Sequence, residues 1–187
     1  MAGPHYAIMR VQRLRTIEDL EGATRHGRRE DTGEHYDPSR TPFNRHWAAT
    51  PVDQPVDWVR GVEDAIKRLG AIHRQRSAFA AEFLVGASPE YFLAADGETL
   101  NLTKTLASAD ANMTAFYNRF DKAVVAGRLD LDEATPHMAI CVVPTYTKIT
   151  AHTRSTVVSY RKAFGGENKH DARDRLIAWQ DWYAGEM

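Results

Sequence analysis

The spacing of apolar residues along the chain predicts alternating strands and helices. Apolar runs of strand length occupy residues 5–14, 77–87, 122–131 and 138–146. Apolar residues at helical spacing occupy residues 16–28, 56–69 and 102–120, and a C-terminal segment with Leu176, Ile177, Trp179 and Trp182. In this order the elements favour an α/β (α+β) fold, in which helices pack on a largely antiparallel central sheet.

Local signals support several of these boundaries. Thr16 followed by Asp19 is a capping-box pattern, and Gly70 is suited to end the helix before it. Ser88 before Pro89 predicts another helix start. Residues 30–55 are rich in Asp, Pro, Thr and Gly, which predicts a long loop of the kind that is usually functional or mobile.

Length, composition and charge limit the domain organisation and the binding partners that the chain can have. The 187 residues are enough for one domain with a sizeable core, so we expect a single domain over residues 1–187. The formal net charge is −1, so contact with nucleic acid would need a local basic patch. Cys141 is the single cysteine and excludes an internal disulfide. No signal peptide or membrane span is expected, which predicts a cytoplasmic protein.

The segment LDLDEATPHMAICVVP (residues 129–144) joins the two clearest strands and carries the strongest chemical signal. Asp130 and Asp132 are predicted to point to one face, and His137 opens the next strand. Carboxylates and an imidazole that converge from adjacent strands suit Mn²⁺, Mg²⁺ or Zn²⁺. An acidic surface turn beside an ordinary surface histidine has the same pattern, and spacing alone favours this second interpretation.

This segment resembles the metal motif of the Mob/Pre plasmid mobilisation and recombination proteins, which are DNA relaxases. Their motif His-Leu-Asp-Glu-x-x-Pro-His-Met-His stands beside DLDEATPHMA, residues 130–139. Other segments resemble family motifs in the same order: YAIMRVQRL the opening strand, TRHGRRE a Lys/Arg-His-Asn-x-Arg segment, DPSRTPFN a Pro-Ser-Arg-x-His-x-Asn segment, and SAFAAEFLVGASPEYF an apolar strand before a helix. The resemblance therefore spans most of the chain.

The resemblance implies a relaxase fold and a plasmid relaxase activity. Such an enzyme nicks one strand of plasmid origin DNA, taken as a single strand or a hairpin, stays covalently attached to the 5′ end and later rejoins the strand. The cofactor implied is a divalent metal, Mn²⁺ before Mg²⁺. Oligomerisation through a helical tail, absent from these 187 residues, is a further expectation. The residues implied are His26 (nucleophile) and Glu133 for catalysis, Asp130, Glu133 and His137 for metal, and Arg25, Arg28, Arg29, Arg40 and Asn44 for DNA.

Two stretches have physical features that fit these roles. Three arginines of the segment TRHGRRE flank His26, and we expect them to lower its pKa by charge repulsion while attracting phosphate. The alternative for His26 is an exposed histidine at a helix C terminus. In the second stretch, residues 36–47, arginines alternate with aromatic residues. This pattern fits the binding of single-stranded DNA, but it also fits an ordinary loop anchored by its aromatic rings. These residues are Tyr36, Arg40, Phe43, Arg45 and Trp47.

Three positions depart from the family pattern. Asp130 and Ala139 replace the first and last metal histidines, and Pro42 replaces the histidine after Pro-Ser-Arg-x. A carboxylate can bind Mn²⁺ or Mg²⁺, but Ala139 offers no donor atom, so water or a distant side chain such as His152 would complete the coordination. Two hypotheses stay open: an active metal-dependent DNA strand transferase, and a relaxase-fold DNA-binding protein with an inactive metal site.

The substituted ligands predict metal binding about 10- to 100-fold weaker than in a three-histidine site. In the variant Ala139→His, the restored imidazole adds a donor atom, so we expect tighter Mn²⁺ binding in a calorimetric titration. No gain in affinity over the unsubstituted chain would show that the motif is misaligned.

Overall fold

A five-stranded antiparallel sheet forms the centre of the computed structural model, which describes residues 6–31, 35–48 and 56–186. His5, predicted to begin the first strand, and residues 32–34 and 49–55 of the predicted loop lie outside the described residues. The strands follow the order β1-β3-β5-β4-β2, with β5 in the middle. Their bounds are β1 (Ala7–Leu14), β2 (Arg45–Ala48), β3 (Ala80–Ala87), β4 (Val124–Asp130) and β5 (His137–Val142).

Helices cover both faces of the sheet. One face packs against α1 (Ile17–Gly27) and α2 (Trp58–Arg68), and the other against α3 (Leu102–Phe120) and α4 (Lys169–Glu186). A separate hairpin consists of β6 (Thr145–Ile149) and β7 (Arg154–Val158). These layers confirm the predicted fold class. Within the described ranges, no helix combines the length and the apolar character that a membrane crossing needs.

Capping interactions explain where the first two helices begin and end. The Thr16 hydroxyl accepts a hydrogen bond from the Asp19 amide, and the Asp19 carboxylate accepts one from the Thr16 amide, which confirms the predicted capping box. Asp57 caps α2 through the Arg60 amide. Gly70 follows α2 with a φ of +56°, in the left-handed region that favours glycine at a helix end.

The alternation of side chains along β5 separates two hydrophobic cores. Met138, Ile140 and Val142 pack into the core under α3 and α4, where aromatic rings dominate. Ala139 and Cys141 pack into the core under α1 and α2. His137 lies at the start of β5 and shares the face of Ala139, since residues two positions apart point the same way. The polar groups of the candidate site therefore lie on the α1/α2 face.

Three predicted elements are wrong in detail. The predicted loop over residues 30–55 contains a 3₁₀ turn (Thr41–Phe43) and the edge strand β2, which has no apolar period of its own and forms by pairing with β4. The strand predicted over residues 138–146 ends at Val142, because Pro144 interrupts it and the chain continues into the β6–β7 hairpin. Ser88 precedes a 3₁₀ turn (Pro89–Phe92), and its hydroxyl accepts from the Tyr6 amide instead of capping a helix.

Two helical glycines in the α1/α2 layer should respond oppositely to alanine. A Cβ atom at Gly22 meets nothing within 4 Å, whereas one at Gly61 would lie 2.7 Å from Val125 Cγ1 on β4. We expect Gly22→Ala to raise the free energy of unfolding by about 0.5–1 kcal/mol, because alanine favours helix. Gly61→Ala should lower it by about 1–3 kcal/mol, because α2 must move away from the sheet. Urea denaturation of both variants measures the difference, and an equal response would contradict the close packing of α2.

Candidate active site

The end of α1 places two functional side chains beside the sheet. The Arg29 amide donates to the His26 carbonyl (3.0 Å) and the Glu30 amide donates to the Arg25 carbonyl (2.9 Å), which is the hydrogen-bond pattern of a Schellman motif. Arg29 occupies the left-handed position of this motif with a φ of +56°. Glycine usually stands there, since a Cβ atom makes the conformation unfavourable by about 1–2 kcal/mol. Other contacts must therefore hold arginine in this position.

Those contacts are ion pairs with three carboxylates. Only 6% of the Arg29 side chain is exposed, and its Nη2 lies 2.8 Å from Asp130 Oδ1, 2.5 Å from Asp132 Oδ1 and 3.5 Å from Glu133 Oε1. Its Nε donates a second hydrogen bond to Asp132 Oδ2 at 3.0 Å. The sequence places Arg29 among DNA contacts, but the structure buries its guanidinium under the acidic segment. This side chain compensates buried charge.

The acidic residues are interior residues. Asp130 is completely buried, and Asp132 nearly so, which excludes the surface-turn interpretation. Arg128, also buried, donates from Nε to both Asp130 oxygens at 2.9 and 2.8 Å. Burial alone would raise the pKa of Asp132, but hydrogen bonds from Arg29 and Thr41 outweigh it and lower that pKa to about 2.

His137 faces two of these carboxylates. Its Nδ1 lies 3.1 Å from the Thr135 carbonyl, which can only accept, so Nδ1 carries a proton and Nε2 of the neutral ring offers a lone pair. Nε2 is 3.7 Å from Asp130 Oδ2 and 3.8 Å from Glu133 Oε2. These distances are too long for hydrogen bonds.

His137 Nε2 lies at a separation from Asp130 and from Glu133 that a shared divalent cation would need. Among the described residues, however, the sets of three potential ligands whose donor atoms all lie close together are His26–Asp130–Glu133 and His26–Asp31–His35, and neither includes His137. Two atoms bound to one metal at about 2.1 Å are about 3–4 Å apart, which matches the separations around His137 Nε2. Two carboxylates and one imidazole are a hard-to-borderline donor set, suited to Mn²⁺. Asp130 shares its charge with two arginines, which makes it a weaker donor. Ala139 is buried in the core and contributes no donor atom.

His26 lies on the other side of Glu133. Its Nε2 is 3.2 Å from Glu133 Oε1, and its Nδ1 is 2.8 Å from Asp31 Oδ2. The expectation of a lowered pKa is wrong: the Glu133 carboxylate, followed by Asp31, raises the pKa of His26 against the opposing effects of burial and the nearby arginines. The repulsion from Arg29 is reduced because three carboxylates already neutralise it.

The segment after α1 packs over the acidic residues. The Asp37 amide donates to the Asp132 carbonyl at 2.7 Å, and Arg40 Nη2 donates to the Glu133 carbonyl at 2.8 Å. The Asn44 side-chain oxygen accepts from the Leu131 amide at 2.8 Å. Arg40 and Asn44, predicted as DNA contacts, thus also hold residues 131–133 in place.

The remaining predicted DNA contacts differ in exposure. Arg25 is 54% exposed and reaches Glu21 only at 3.9 Å, and Arg28 is partly exposed beside Asp57. Phe43 is 51% exposed, whereas Trp47 packs on the α3/α4 core and donates from Nε1 to Asp110. Arg25, Arg28, Phe43 and Arg45 are therefore exposed members of the two predicted stretches, and the Arg40 side chain is 40% exposed.

Sequence reasoning did not find two residues of the site, Arg128 and Asp31. An arginine inside the apolar strand KAVVAGRLDL, two positions before Asp130 and on its face, was a signal for a buried ion pair. Nothing in the sequence pattern pointed to Asp31. His152 lies in the exposed turn between β6 and β7 and belongs to none of the potential ligand clusters within the described residues.

Comparisons with known proteins agree with this architecture. Residues 4–176 match the Mob_Pre family, described as a plasmid recombination enzyme. The chain is 29% identical over 141 residues to the 65 kDa protein of Zymomonas mobilis. The aligned segment covers 75% of this chain and 23% of that protein. It thus spans about a quarter of this curated relative.

Solved structures give the same fold at lower identity. The Mn-bound MobM relaxase domain in complex with 22-nucleotide origin-of-transfer DNA of plasmid pMV158 superposes with a TM-score of 0.69 and 19% identity, covering 96% of this chain and 86% of that chain. The MobM domain bound to 26-nucleotide DNA of the same origin gives a TM-score of 0.60 and 16% identity, with the same coverage of both chains.

The buried Asp132 should make stability depend on acid pH. Its pKa of about 2 in the folded protein lies below the ordinary value of 3.8, so its contribution is complete above pH 3.8 and is lost as the pH falls towards 2. This contribution is on the order of 2 kcal/mol. Between pH 5 and 2, Asp132→Asn should lose less unfolding free energy than the unsubstituted chain, measured by urea denaturation at each pH. Asp64→Asn, at an exposed position of α2, serves as control. Equal losses in all three proteins would contradict the ion pair with Arg29.

Proposed function

Because the chain belongs to the Mob_Pre family of plasmid recombination enzymes, we propose that it is a plasmid relaxase that nicks and rejoins one strand of origin-of-transfer DNA. The observation that carries the proposal is the position of Glu133 between His26 and His137. One carboxylate oxygen faces a potential nucleophile and the other faces a potential metal ligand. The solved MobM complexes with origin DNA support the choice of substrate.

His26 is the proposed nucleophile. The carboxylate of Glu133, followed by that of Asp31, raises the pKa of His26, which favours the ring with protons on both nitrogens, and in that form the proton on Nε2 must leave before attack. Glu133 Oε1, at 3.2 Å, is the group placed to accept it. The pKa of Glu133 is lowered, since its interactions with His26 and His137 outweigh the opposing effect of burial, so the carboxylate is ionised and can act as a base. The Nε2 lone pair then attacks the scissile phosphorus, and the bond from phosphorus to the 3′ oxygen breaks, which leaves the covalent protein–DNA intermediate.

Asp130, Glu133 and His137 would hold a divalent metal, Mn²⁺ before Mg²⁺. Such a cation, when bound, offsets negative charge on the scissile phosphate. Mn²⁺ in the MobM structures supports this cofactor. The chain's own contribution is to fix the ligand orientations, through Thr135 on His137 and through two arginines on Asp130.

DNA would approach over the C-terminal end of α1 and the segment 35–48. Arg25 and Arg28 are accessible for phosphate contacts, and Phe43 offers an exposed ring for base stacking. Arg40 and Asn44 border the same surface. We assign the whole chain, residues 1–187, to one relaxase domain, and we place it in the cytoplasm, where plasmid DNA is processed.

A second candidate function is a DNA-binding protein with an inactive metal site. The observation that favours it is the pairing of both Asp130 oxygens with arginines, which competes with metal coordination. This function predicts salt-sensitive binding of origin DNA without cleavage by any divalent ion.

Incubation with supercoiled and single-stranded origin DNA in Mn²⁺, read for nicking and for a covalent adduct, separates the two functions. We expect cleavage and an adduct from the unsubstituted chain and neither from His26→Ala, because the attacking nitrogen is lost. His170→Ala, at an exposed histidine on α4, should behave like the unsubstituted chain.

Two outcomes would contradict parts of this proposal. A robust adduct from His26→Ala would remove His26 from the role of nucleophile. Salt-sensitive binding without cleavage in Mn²⁺ or Mg²⁺ would favour the DNA-binding protein over the enzyme.

A further inference from the structure

Asp31 makes the shortest contact to the proposed nucleophile. Its Oδ2 lies 2.8 Å from His26 Nδ1, on the side of the ring opposite Glu133. We propose that Asp31 is a positioning residue that holds the proton of His26 on Nδ1 and thereby directs Nε2 to the scissile phosphate. This inference rests on the proposed function and adds a third member to the pair His26–Glu133.

The partners of the two ring nitrogens favour one tautomer once the ring is neutral. Ionised carboxylates face both nitrogens, Asp31 at Nδ1 (2.8 Å) and Glu133 at Nε2 (3.2 Å), so the doubly protonated ring can donate to both, and the contact to Asp31 is the shorter one. A guanidinium can only donate, and Arg29 Nη1 lies 3.3 Å from Nε2, so in the neutral ring Nε2 is the unprotonated nitrogen. The neutral ring therefore has its lone pair on the side of Glu133 and the metal ligands.

The orientation of the ring is restrained from its face as well. The His35 ring stacks on the His26 ring with centroids 5.3 Å apart and an interplanar angle of 16°. Tyr36 lies edge-on to His35, and its hydroxyl donates to the Asp31 carbonyl at 3.3 Å. The stacking restrains the plane of the ring, and within that plane a half-turn about the Cβ–Cγ bond would replace Nδ1 by Cδ2 and break the hydrogen bond to Asp31.

The proton and electron balance of the step gives Asp31 a defined role. Glu133 takes the Nε2 proton, the Nε2 lone pair forms the nitrogen–phosphorus bond, and the bond from phosphorus to the 3′ oxygen breaks. The leaving 3′ oxygen takes the proton from Glu133 and becomes a hydroxyl. The ring keeps its Nδ1 proton and gains positive charge, which the Asp31 carboxylate offsets, as the aspartate of a Ser-His-Asp triad does for its imidazolium.

The tautomer can be measured without DNA or metal. In protein with ¹⁵N-labelled histidine, at a pH well above the ordinary imidazole pKa of about 6.5, we expect the His26 nitrogen shifts of an Nδ1-protonated ring. Asp31→Ala should shift them towards the Nε2-protonated form, which the free side chain prefers. Asp31→Glu, which keeps a carboxylate, should retain the Nδ1-protonated form, and Asp64→Ala should leave it unchanged.

The second readout is the rate of adduct formation on single-stranded origin DNA. We expect Asp31→Ala to lose about 10²-fold or more in rate at saturating DNA, since a triad carboxylate contributes up to about 10⁴-fold. The DNA concentration at half-maximal rate should change little, because Asp31 does not contact DNA in this scheme. Asp31→Glu should recover part of the rate.

The inference and the proposed function can fail separately. An Nε2-protonated ring in the unsubstituted chain, or an Nδ1-protonated ring in Asp31→Ala, would overturn the inference whatever the activity. An unchanged rate in Asp31→Ala would also overturn it. Adduct formation by His26→Ala would instead refute the nucleophile while leaving the tautomer measurement to decide the role of Asp31.

Discussion

The guanidinium of Arg29 is the interaction on which the candidate site depends. Asp130 and Asp132 are buried and the Glu133 side chain is only 17% exposed at one end of the central strands, and burying carboxylates without compensation would be strongly unfavourable. Arg29 contacts all three, and Arg128 adds a second cation at Asp130. The left-handed backbone of Arg29 is the conformational cost of this arrangement. A glycine would relieve the backbone but would leave the acids unpaired.

This charge network also affects Asp130 as a proposed metal ligand, at a position where the family pattern has histidine. A neutral histidine at position 130 would bring no charge into the sheet, whereas Asp130 brings one that two arginines already share. The carboxylate keeps its orientation because both arginines hold it, but it donates less strongly to a metal. The same contacts therefore fix the orientation of the Asp130 carboxylate and lower its affinity for a cation.

The two faces of the sheet differ in character: one holds an aromatic core, and the other carries the candidate site. Under α3 and α4, a cluster of aromatic rings fills the core, including Phe83, Phe116 and Trp182. Under α1 and α2 the core consists mainly of aliphatic side chains with Trp58, and the polar groups collect at one end of the strands. The Schellman turn after α1 returns the chain to that end, so His26 reaches Glu133 although the two are far apart in sequence.

The sequence by itself determined the elements with strong local signals, and its motifs pointed to the family to which the chain belongs. α3 was predicted with its observed bounds, and the capping box and Gly70 set the ends of α1 and α2, because these signals act within a few residues. Family resemblance supplied His26, Glu133 and His137. The edge strand β2 escaped prediction because it forms only by pairing with β4.

Only the tertiary structure decided what surrounds those residues. Arginines near His26 in sequence suggested a lowered pKa, yet the fold brings Glu133 and Asp31 closer and raises it. The fold also buries the side chain of Arg29, which the sequence predicts as a DNA contact. It brings Asp31 to His26, a contact that the sequence pattern does not indicate. Electrostatic effects depend on distance and burial in three dimensions, and neither quantity is contained in residue order.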